Sequence, residues 1–351
     1  MSRNLVLVLF TLSILGSARG QWEIQDSHTT ASLRGIHSVD GVVAWASGTD
    51  GTVLRTEDGG SHWRQCAVPP GGEKLDFRGV WAWDANTATV MSAGPGDQSR
   101  LYETTDGCAH WTEKRKNSEK DGFWDALAFQ SQDFHMLGDE KTGVLIGDPV
   151  RGRFYTEAML LGKGWFLDGG SCVARENEAA FAASNSSVFV FGSRRYIIGT
   201  GGKGGPRILL SPLLAYGDRS KGCLEIAAPL AGGNDSSGVF SLAFRDVKHG
   251  MAVGGDYKKA ADPSATAAWT SDGGRHWTAA SRMPLGYRSA VAWYPQAKAW
   301  IAAGTNGSDF SMDDGKTWKP LDDGNWNALS LPYIVGPNGR IGKLRLGALQ
   351  P

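Results

Sequence analysis

Seven polar residues recur along the chain in one local setting, and several of them can bind anions or transfer protons. Most of them directly follow an aromatic or apolar residue and precede a small one, as in Leu33-Arg34-Gly35. They lie 39 to 63 residues apart, a spacing that indicates a repeated structural unit. The seven residues are Arg34, Arg78, Asp125, Glu178, Ser241, Arg288 and Asn327.

Three members of this set, Arg34, Arg78 and Arg288, have the chemistry to hold an anion. A guanidinium group donates two parallel hydrogen bonds to a carboxylate or sulfate, so three converging arginines would form a clamp. The alternative is that these arginines pair with nearby carboxylates and only satisfy a polar channel. Further candidate binding residues are Arg100, Arg207 and Asn327.

Acidic residues and one tyrosine are the candidates for proton transfer. Two carboxyl groups that face each other across an open site can hydrolyse a glycosidic bond, one as the acid and the other as the base or nucleophile. A tyrosine beside an aspartate is a second candidate arrangement. The candidate catalytic residues are Asp125, Asp148, Glu178, Asp256 and Tyr257.

An eight-residue motif occurs four times and indicates the unit that positions these side chains. Its pattern is S/T-x-D-x-G-x-x-W, with Cys108 in place of the glycine in the second copy. The aspartate can accept hydrogen bonds from amides of its own turn, and glycine tolerates a positive φ there. We therefore predict a structural role for the four aspartates. They are Asp58, Asp106, Asp272 and Asp313.

The motif resembles the Asp-box, or BNR, repeat of sialidase-like β-propellers. Together with the seven recurring units, it predicts an all-β, seven-bladed β-propeller with four strands in each blade. The last unit, from Trp326 to Leu346, has room for three strands only. We expect the strand Trp22–Gln25 to supply the fourth strand of this blade, which would remove an exposed sheet edge.

In such a propeller the inner strands line a central channel. The first residues of these strands share one face with the loops from second to third strands, and the Asp-boxes lie on the other face. The seven recurring polar residues should therefore surround one funnel. The adjoining loops are expected to add Arg100, Asp148, Arg207, Asp256 and Tyr257.

The resemblance extends over the whole expected mature chain to exported bacterial BNR-repeat proteins. These are related to the photosystem II stability and assembly factors of cyanobacteria and plastids. Stretches such as Ser92-Ala93-Gly94-Pro95-Gly96 and Phe240-Ser241-Leu242-Ala243-Phe244-Arg245-Asp246 carry it. In the assembly factors the propeller is a binding scaffold, and an arginine-rich patch is implicated in contacting a photosystem subunit. The resemblance implies a non-catalytic binding or assembly factor that takes a protein partner or an anionic ligand.

The alternative function is a carbohydrate-active enzyme, either a glycosidase or a polysaccharide lyase, acting on an acidic sugar. Sialidases, which the motif also resembles, hold a substrate carboxylate with three arginines and use a tyrosine nucleophile with an acidic partner. Arg34, Arg78, Arg288 and Tyr257 would take these roles here. However, the sialidase hallmark Arg-Ile-Pro is absent, and Arg-Gly-Ile stands at Arg34 instead.

The N-terminus has the pattern of a signal peptide. Arg3 precedes an apolar run over residues 5–15, and Ala18 and Gly20 provide the small residues before a cleavage site at Gln21. We therefore predict a signal peptide over residues 1–20 and one propeller domain over residues 21–351. The expected location is secreted or periplasmic, and we expect a monomer that meets membranes only through a partner.

Four cysteines fit an oxidising compartment. Four allow three pairings, and pairing of sequence neighbours gives Cys66–Cys108 and Cys172–Cys223. Their spacing differs from that of zinc ligands, so we expect no metal site.

Charge and motifs also argue against nucleotides and nucleic acids. The chain has 36 basic and 36 acidic residues, whereas phosphate backbones are bound by clustered Lys and Arg. A G-x-G-x-x-G run begins at Gly199, but Pro206 and an expected strand follow it. A dinucleotide site needs a helix N-terminus at that place. We therefore expect no cofactor and no nucleic-acid partner.

Overall fold

The computed structural model describes residues 21–130, 142–160, 164–167, 172–191, 195–212, 222–345, 347 and 349. The expected signal peptide lies outside these residues. Among them, no helix is long and apolar enough to cross a bilayer. Regular structure in the described ranges is β-strand, apart from short turns of 3-10 helix. These helices are Gly96–Gln98, Tyr257–Lys259 and Pro295–Ala297.

Within the described residues the strands form seven antiparallel sheets, each with a four-stranded blade. The blades are numbered in chain order, and their strands from the inside outward. Blade 1 contains Leu33–Ser38, Ala44–Gly48, Val53–Thr56 and Arg64–Gln65. Blade 2 contains Phe77–Ala82, Ala88–Ser92, Arg100–Thr104 and Thr112–Lys116. Blade 3 contains Trp124–Phe129, Thr142–Val150, Arg153–Leu160 and Gly164–Leu167.

The remaining four blades repeat the same order. Blade 4 contains Val188–Phe191, Arg195–Gly199, Arg207–Leu210 and Leu224–Ala227. Blade 5 contains Ser237–Phe244, Gly250–Asp256, Ala267–Thr270 and Thr278–Ala279. Blade 6 contains Ala290–Tyr294, Ala299–Gly304, Gly307–Ser311 and Lys319–Asp322. Blade 7 contains Ala328–Ser330, Tyr333–Val335, Ile341–Leu344 and, from the N-terminal part of the chain, Trp22–Gln25.

The seven sheets close into a ring. The inner strand of each blade contacts the inner strand of the next, and that of blade 7 contacts that of blade 1. Apolar side chains from facing sheets fill the spaces between adjacent blades, where Trp45, Trp124 and Trp300 are fully buried. The predicted all-β, seven-bladed β-propeller is therefore confirmed.

The N-terminal strand completes blade 7, as expected. Trp22–Gln25 pairs antiparallel with Ile341–Leu344. The indole Nε1 of Trp22 donates to Ser308 Oγ in blade 6 at 3.1 Å, and its ring lies 6.1 Å from that of Trp326. This strand thus joins the two ends of the ring through both backbone and side-chain contacts.

The four copies of the sequence motif form one type of turn between third and outer strands. In the first copy, Thr56 Oγ1 donates to Asp58 Oδ1 at 2.9 Å and accepts from the amide of Gly60 at 2.9 Å. Asp58 Oδ1 also accepts from the amide of His62 at 2.9 Å. The corresponding amide bonds in the other copies involve residues 104–110, 270–276 and 311–317.

Hydrogen bonding also stabilises the ionised aspartate of these turns. In the second copy, the amide and ring of His110, with the Thr104 hydroxyl, lower the pKa of Asp106 to about 2. Cys108 takes the place of glycine here with φ of 67°, a left-handed conformation that other residues adopt at a cost. Its disulfide to Cys66 fixes this turn against blade 1.

Both disulfides connect neighbouring blades. Both also join cysteines that follow each other in the sequence, which is one of the three pairings considered above. Cys66–Cys108 links the end of blade 1 to the turn of blade 2. Cys172–Cys223 links the segment after blade 3 to the segment before the outer strand of blade 4. Each crosslink closes a long loop, with sequence separations of 42 and 51 residues, which restricts the unfolded chain.

Blade 4 differs from the expected layout. The sequence placed the start of its inner strand near Glu178, whereas the inner strand is Val188–Phe191. Glu178–Ala179 pairs instead with Gly201–Gly202, which also pairs with blade 5. The chain between Ala179 and Val188 is therefore free to leave the blade and enter the channel.

We predict that Thr270→Val destabilises the protein by about 1–3 kcal/mol. The methyl group that replaces the hydroxyl cannot accept from the buried amide of Gly274, now 3.1 Å from Thr270 Oγ1, so that amide loses its partner. Urea unfolding of the wild type and variant would measure the change. The exposed Thr278→Val in the same blade is the control. Equal loss in both variants would contradict a special role for the turn.

Candidate functional site

One inner-strand position faces the channel in most blades. In blades 1, 2, 3 and 5 the register between the inner and second strands shifts by one residue near the start of the inner strand. The residue at this position is the one that the shift leaves without a partner in the second strand. In blades 6 and 7 the amides at this position donate to Ala303 O and Val335 O, both at 2.8 Å. The residues at this channel position are Arg34, Arg78, Asp125, Phe240, Ser289 and Asn327.

A cavity of about 350 Å³ occupies the mouth of the channel on this face. Its lining combines channel-position residues with loop residues from blades 5 and 6 and with the segment that precedes blade 4. The full lining is Arg34, Arg78, Phe181, Ala182, Ala183, Phe240, Tyr257, Tyr287, Ser289, Thr305 and Asn327. Four of these eleven lining residues were expected site residues, and Tyr257 is one of them. Phe181, Phe240 and Tyr287 were not expected, because the sequence suggested only packing roles for them.

The floor of this cavity is a segment that crosses the channel, residues 180–186, which we call the channel segment. It is hydrogen-bonded to the inner strands of blades 2, 3, 5 and 6. Arg78 Nη1 donates to Ala182 O at 3.2 Å, and the Leu127 amide donates to Asn185 Oδ1 at 2.7 Å. Ser184 Oγ donates to Ser289 O at 2.6 Å. The cavity is therefore a blind pocket rather than an open pore.

The channel segment is also hydrogen-bonded to the inner strand of blade 5. The amide of Leu242 donates to Ser186 O at 2.8 Å, and the hydroxyls of Ser186 and Ser241 lie 2.7 Å apart. Ser241 Oγ also accepts from the amide of Val291 in blade 6 at 3.0 Å. Ser241, expected in the funnel, thus fastens the channel segment to the ring.

Two arginines give one wall of the cavity a positive charge. Arg78 Nε donates to Asp76 Oδ2 at 2.7 Å, so this arginine is paired. Arg34 forms no ion pair with any described residue, and its buried Nε has no hydrogen-bond partner. Burial and then the neighbouring Arg78 lower the pKa of Arg34 from its ordinary value. Arg34 is therefore a partly buried cation whose own charge is not compensated by a direct partner.

The expected three-arginine clamp is not assembled, because Arg288 points away from the cavity. Its guanidinium contacts Asp309 through both Nε and Nη2, and Nη1 donates to Asn306 Oδ1 at 2.7 Å. Arg288 and Asp309 are each 1 % exposed. A strand alternates its side chains between two faces, so the one-residue offset from Ser289 directs Arg288 into the blade.

Arg207 and Glu178, both expected near the funnel, form a buried ion pair between blade 4 and the strand Glu178–Ala179. Arg207 is 2 % exposed and its Nε donates to Glu178 Oε1 at 2.8 Å. Its Nη1 lies 2.7 Å from Glu225. Arg100 is also engaged, since its Nε donates to Asp97 O at 2.7 Å. None of these side chains lines the cavity.

Asp125 and Asp148 lie beneath the cavity rather than in its lining. Asp125 is 2 % exposed, and burial and then Asp148 raise its pKa well above the ordinary value. Burial raises the pKa of Asp148 to about 6, although its Oδ1 accepts from the amide of Ala180 at 3.1 Å. Neither carboxyl group lines the channel-mouth cavity, and Asp148 contacts the channel segment.

Asp256 and Tyr257 are adjacent in sequence but line different cavities. Asp256 accepts from the amide of Lys258 at 3.0 Å and from Asn234 Nδ2 at 3.3 Å, so it caps the short helix Tyr257–Lys259. It lines a different cleft of about 170 Å³. Tyr257 is 45 % exposed and stands on the rim of the channel-mouth cavity.

A larger cavity, of about 590 Å³, lies beside the closing strand of blade 7. Turn residues such as Asp26 and Asn338 form most of its wall. Its arginine, Arg340, already lies over the ring of Trp326 at 4.2 Å. In the described chain no group of three or more His, Cys, Asp or Glu could hold a metal ion. The channel-mouth cavity is therefore the stronger candidate site.

The closed ring and its one-sided cavity define the chain as a seven-bladed β-propeller with a blind pocket at the channel mouth. No protein-family model and no curated protein sequence matches the chain. Among solved structures, YCF48 bound to D1 peptide is 16 % identical with a TM-score of 0.61, covering 93 % of this chain and 98 % of that chain.

Two further solved structures share the fold. U3-55K is 10 % identical with a TM-score of 0.60, covering 93 % of this chain and 98 % of that chain. The WD40 β-propeller domain of Doa1 is 12 % identical with a TM-score of 0.56, covering 94 % of this chain and 100 % of that chain. At such identities these likenesses show that the chain is a β-propeller.

We predict that Asp148→Asn is more stable than the wild type at about pH 7.5, by up to about 3 kcal/mol. The folded pKa near 6 exceeds the unfolded value of about 3.9, so the carboxyl stabilises the fold only when protonated. That contribution is fully present below about pH 4 and is lost as pH rises through about 6. Asparagine stays neutral and keeps Oδ1 for the Ala180 amide.

Urea unfolding across this pH range would measure the difference between the two proteins. It should shrink as the pH falls towards about 4. Asp121→Asn is the control. Asp121 is exposed and precedes the inner strand of the same blade, so its substitution should change the stability little. A constant difference between Asp148→Asn and the wild type at every pH would contradict the assignment.

Proposed function

We propose that the protein is an exported binding or assembly factor whose channel-mouth cavity receives an anionic group of a protein partner or ligand. The observation that carries this proposal is Arg34, a partly buried cation without an ion-pair partner among the described residues. A buried charge is costly when it is unpaired, so an anion at this place would be strongly favoured. Arg78 stands in the same wall.

We further propose that the chain is a BNR-repeat propeller related to the photosystem II assembly factors. Four turns with the S/T-x-D-x-G-x-x-W sequence and one hydrogen-bond pattern support this relation. The YCF48 structure carries a D1 peptide, which is an example of a similar fold that takes a peptide. These points favour a protein partner. We further propose that the protein is a monomer and that it meets membranes only through this partner.

Export is supported by two independent features. The residues before Gln21 have the order of a signal peptide, from Arg3 through the apolar run to Ala18 and Gly20. The two disulfides are typical of proteins that fold in an oxidising compartment, such as the periplasm or the extracellular space.

For export, we expect the protein recovered from the periplasm or medium of an expressing bacterium to begin at Gln21. N-terminal sequencing or intact mass would measure this. Ala18→Arg should hinder cleavage, because the peptidase requires a small residue near the site. Recovery of the full chain from Met1 in the exported fraction would contradict the proposed cleavage.

The carbohydrate-active enzyme is not the function that the site favours. A glycosidase that uses a carboxylate pair would need both carboxyl groups open to the cavity, at separations of about 5–5.5 Å or 6.5–9.5 Å. Among the described residues, no carboxyl group lines this cavity. Tyr257 lies on its rim, but neighbouring Asp256 is occupied in capping a helix.

To test the proposed site, we expect a fluorescent oligoglutamate peptide to bind the wild type. Arg34→Gln should weaken this binding by about tenfold or more, because a charge-assisted hydrogen bond contributes about 1.5–3 kcal/mol. Fluorescence anisotropy at low and high salt would measure the affinity. Arg64→Gln, which changes an exposed arginine of the same blade, is the matched control.

The proposed function fails if Arg34→Gln and Arg64→Gln bind the peptide as well as the wild type does. Thermal unfolding of each variant would show that the propeller remains folded. Binding that is lost equally in both variants would indicate attraction to overall charge rather than to the cavity.

A further inference from the structure

The channel-mouth cavity has two chemically different walls. Blades 1 and 2 supply the guanidinium groups of Arg34 and Arg78. Blades 5 and 6 supply the aromatic rings of Phe240, Tyr257 and Tyr287, which face them across the pocket. This division restricts which anions can fill the cavity, beyond the anion binding that the proposed function already requires.

The charged wall has a net charge that suits a single negative charge. Arg34 and Arg78 contribute two positive charges, and Asp76, bonded to Arg78 Nε, contributes one negative charge. Among the charged lining residues and their direct ion pairs, the arginines exceed the carboxylates by one charge, which matches a carboxylate better than a doubly charged phosphate.

The hydrogen-bond geometry of this wall also selects a planar acceptor. Arg78 has committed Nε to Asp76 and Nη1 to Ala182 O. Arg34 keeps its guanidinium edge free, since none of its nitrogens is hydrogen-bonded to a described residue and the buried Nε has no partner. A guanidinium edge of this kind binds a carboxylate through two parallel hydrogen bonds.

The aromatic wall is a packed group of four rings. Phe240 stacks on Phe181 at 3.9 Å and meets Tyr287 edge-on at 4.7 Å. Tyr257 lies 6.2 Å from Phe240, also edge-on. Phe240 and Tyr287 are 2 % and 3 % exposed, so they support the two accessible rings from behind. Phe181 and Tyr257 thus present a rigid apolar surface to the pocket.

From this geometry we propose that the cavity binds a monocarboxylate that carries an aromatic or bulky apolar group close to its carboxylate. The carboxylate contacts Arg34, and the apolar group packs on Phe181 and Tyr257. The proposal rests on the proposed function, because it names the anion that the same pocket takes. A volume of about 350 Å³ with a closed floor admits one such group rather than a polymer segment.

Two sources carry this chemistry: a free aromatic acid, or the last residue of a protein chain with its terminal carboxylate. The probes for calorimetric titration are phenylacetate, phenylacetamide, acetate and glucuronate. Two short peptides that end in phenylalanine, one a free acid and the other an amide, form the second arm. Tighter binding by the acid peptide than by phenylacetate assigns a chain end, and the reverse assigns a free acid.

We expect phenylacetate to bind at least about tenfold more tightly than phenylacetamide, because the amide lacks the charge that Arg34 pairs. Phenylacetate should also bind more tightly than acetate, because acetate has no ring to pack on the aromatic wall. Arg34→Gln should abolish the preference of the protein for the acid over the amide. Tyr257→Ser should reduce phenylacetate binding and leave acetate unchanged.

Two variants serve as controls. Arg64→Gln removes an exposed arginine of blade 1, and Val247→Ser removes an exposed apolar side chain near blade 5. Both should bind phenylacetate as the wild type does. Cooperative thermal unfolding of each variant shows that a loss of binding is not a loss of fold.

Equal affinity for phenylacetate and phenylacetamide would overturn the carboxylate contact, and equal affinity for phenylacetate and acetate would overturn the aromatic one. Tighter binding of glucuronate would instead assign a sugar acid and overturn the proposal. If oligoglutamate binds through Arg34 but neither phenylacetate nor the acid peptide binds, the inference fails and the proposed function stands. If no anionic probe depends on Arg34, both fail.

Discussion

Closure of the ring is the constraint on which the rest of the molecule depends. Each blade is a sheet with two apolar faces, and these faces are buried only when every blade has a neighbour on both sides. Trp22–Gln25 meets this requirement by pairing with Ile341–Leu344 across the full length of the sequence. Because the ring is closed, the seven inner strands converge on one axis, and residues far apart in sequence reach a single pocket.

Because the inner strands converge, polar groups meet in the central channel and need hydrogen-bond or ion-pair partners there. The channel segment provides many of these partners, since its backbone and side chains form hydrogen bonds with four of the blades. Most charged groups near the axis are paired, as Arg288 is with Asp309 and Arg207 with Glu178. Arg34 differs from them because it has no such partner among the described residues.

Most of the fold could be predicted from local sequence, and the site only in part. The turn motif and the spacing of the units identified the propeller, because both depend on residues close in sequence, and the short last unit indicated the closing strand. Arg34, Arg78 and Asn327 were placed correctly at the channel mouth for the same reason. Whether a residue faces the channel, however, depends on pairing register with the next strand. In blades 5 and 6 the register differs by one residue from the pattern, so Phe240 and Ser289 take the places expected for Ser241 and Arg288.

Blade 4 shows the other limit of sequence patterns. Residues 180–186 contain no regular alternation because they form no strand, and their partners lie in four other units. Long-range hydrogen bonds of this kind, such as Arg78 to Ala182 O, have no local sequence signal.

The use of an N-terminal strand in the final blade also has a consequence for synthesis. The strand Trp22–Gln25 is made long before its partner Ile341–Leu344. Blades 1 to 6 have all their strands within continuous stretches of chain and can form as those stretches emerge. The seventh cannot be completed until Ile341–Leu344 has been made, so the closing strand must remain unpaired while the other six blades form.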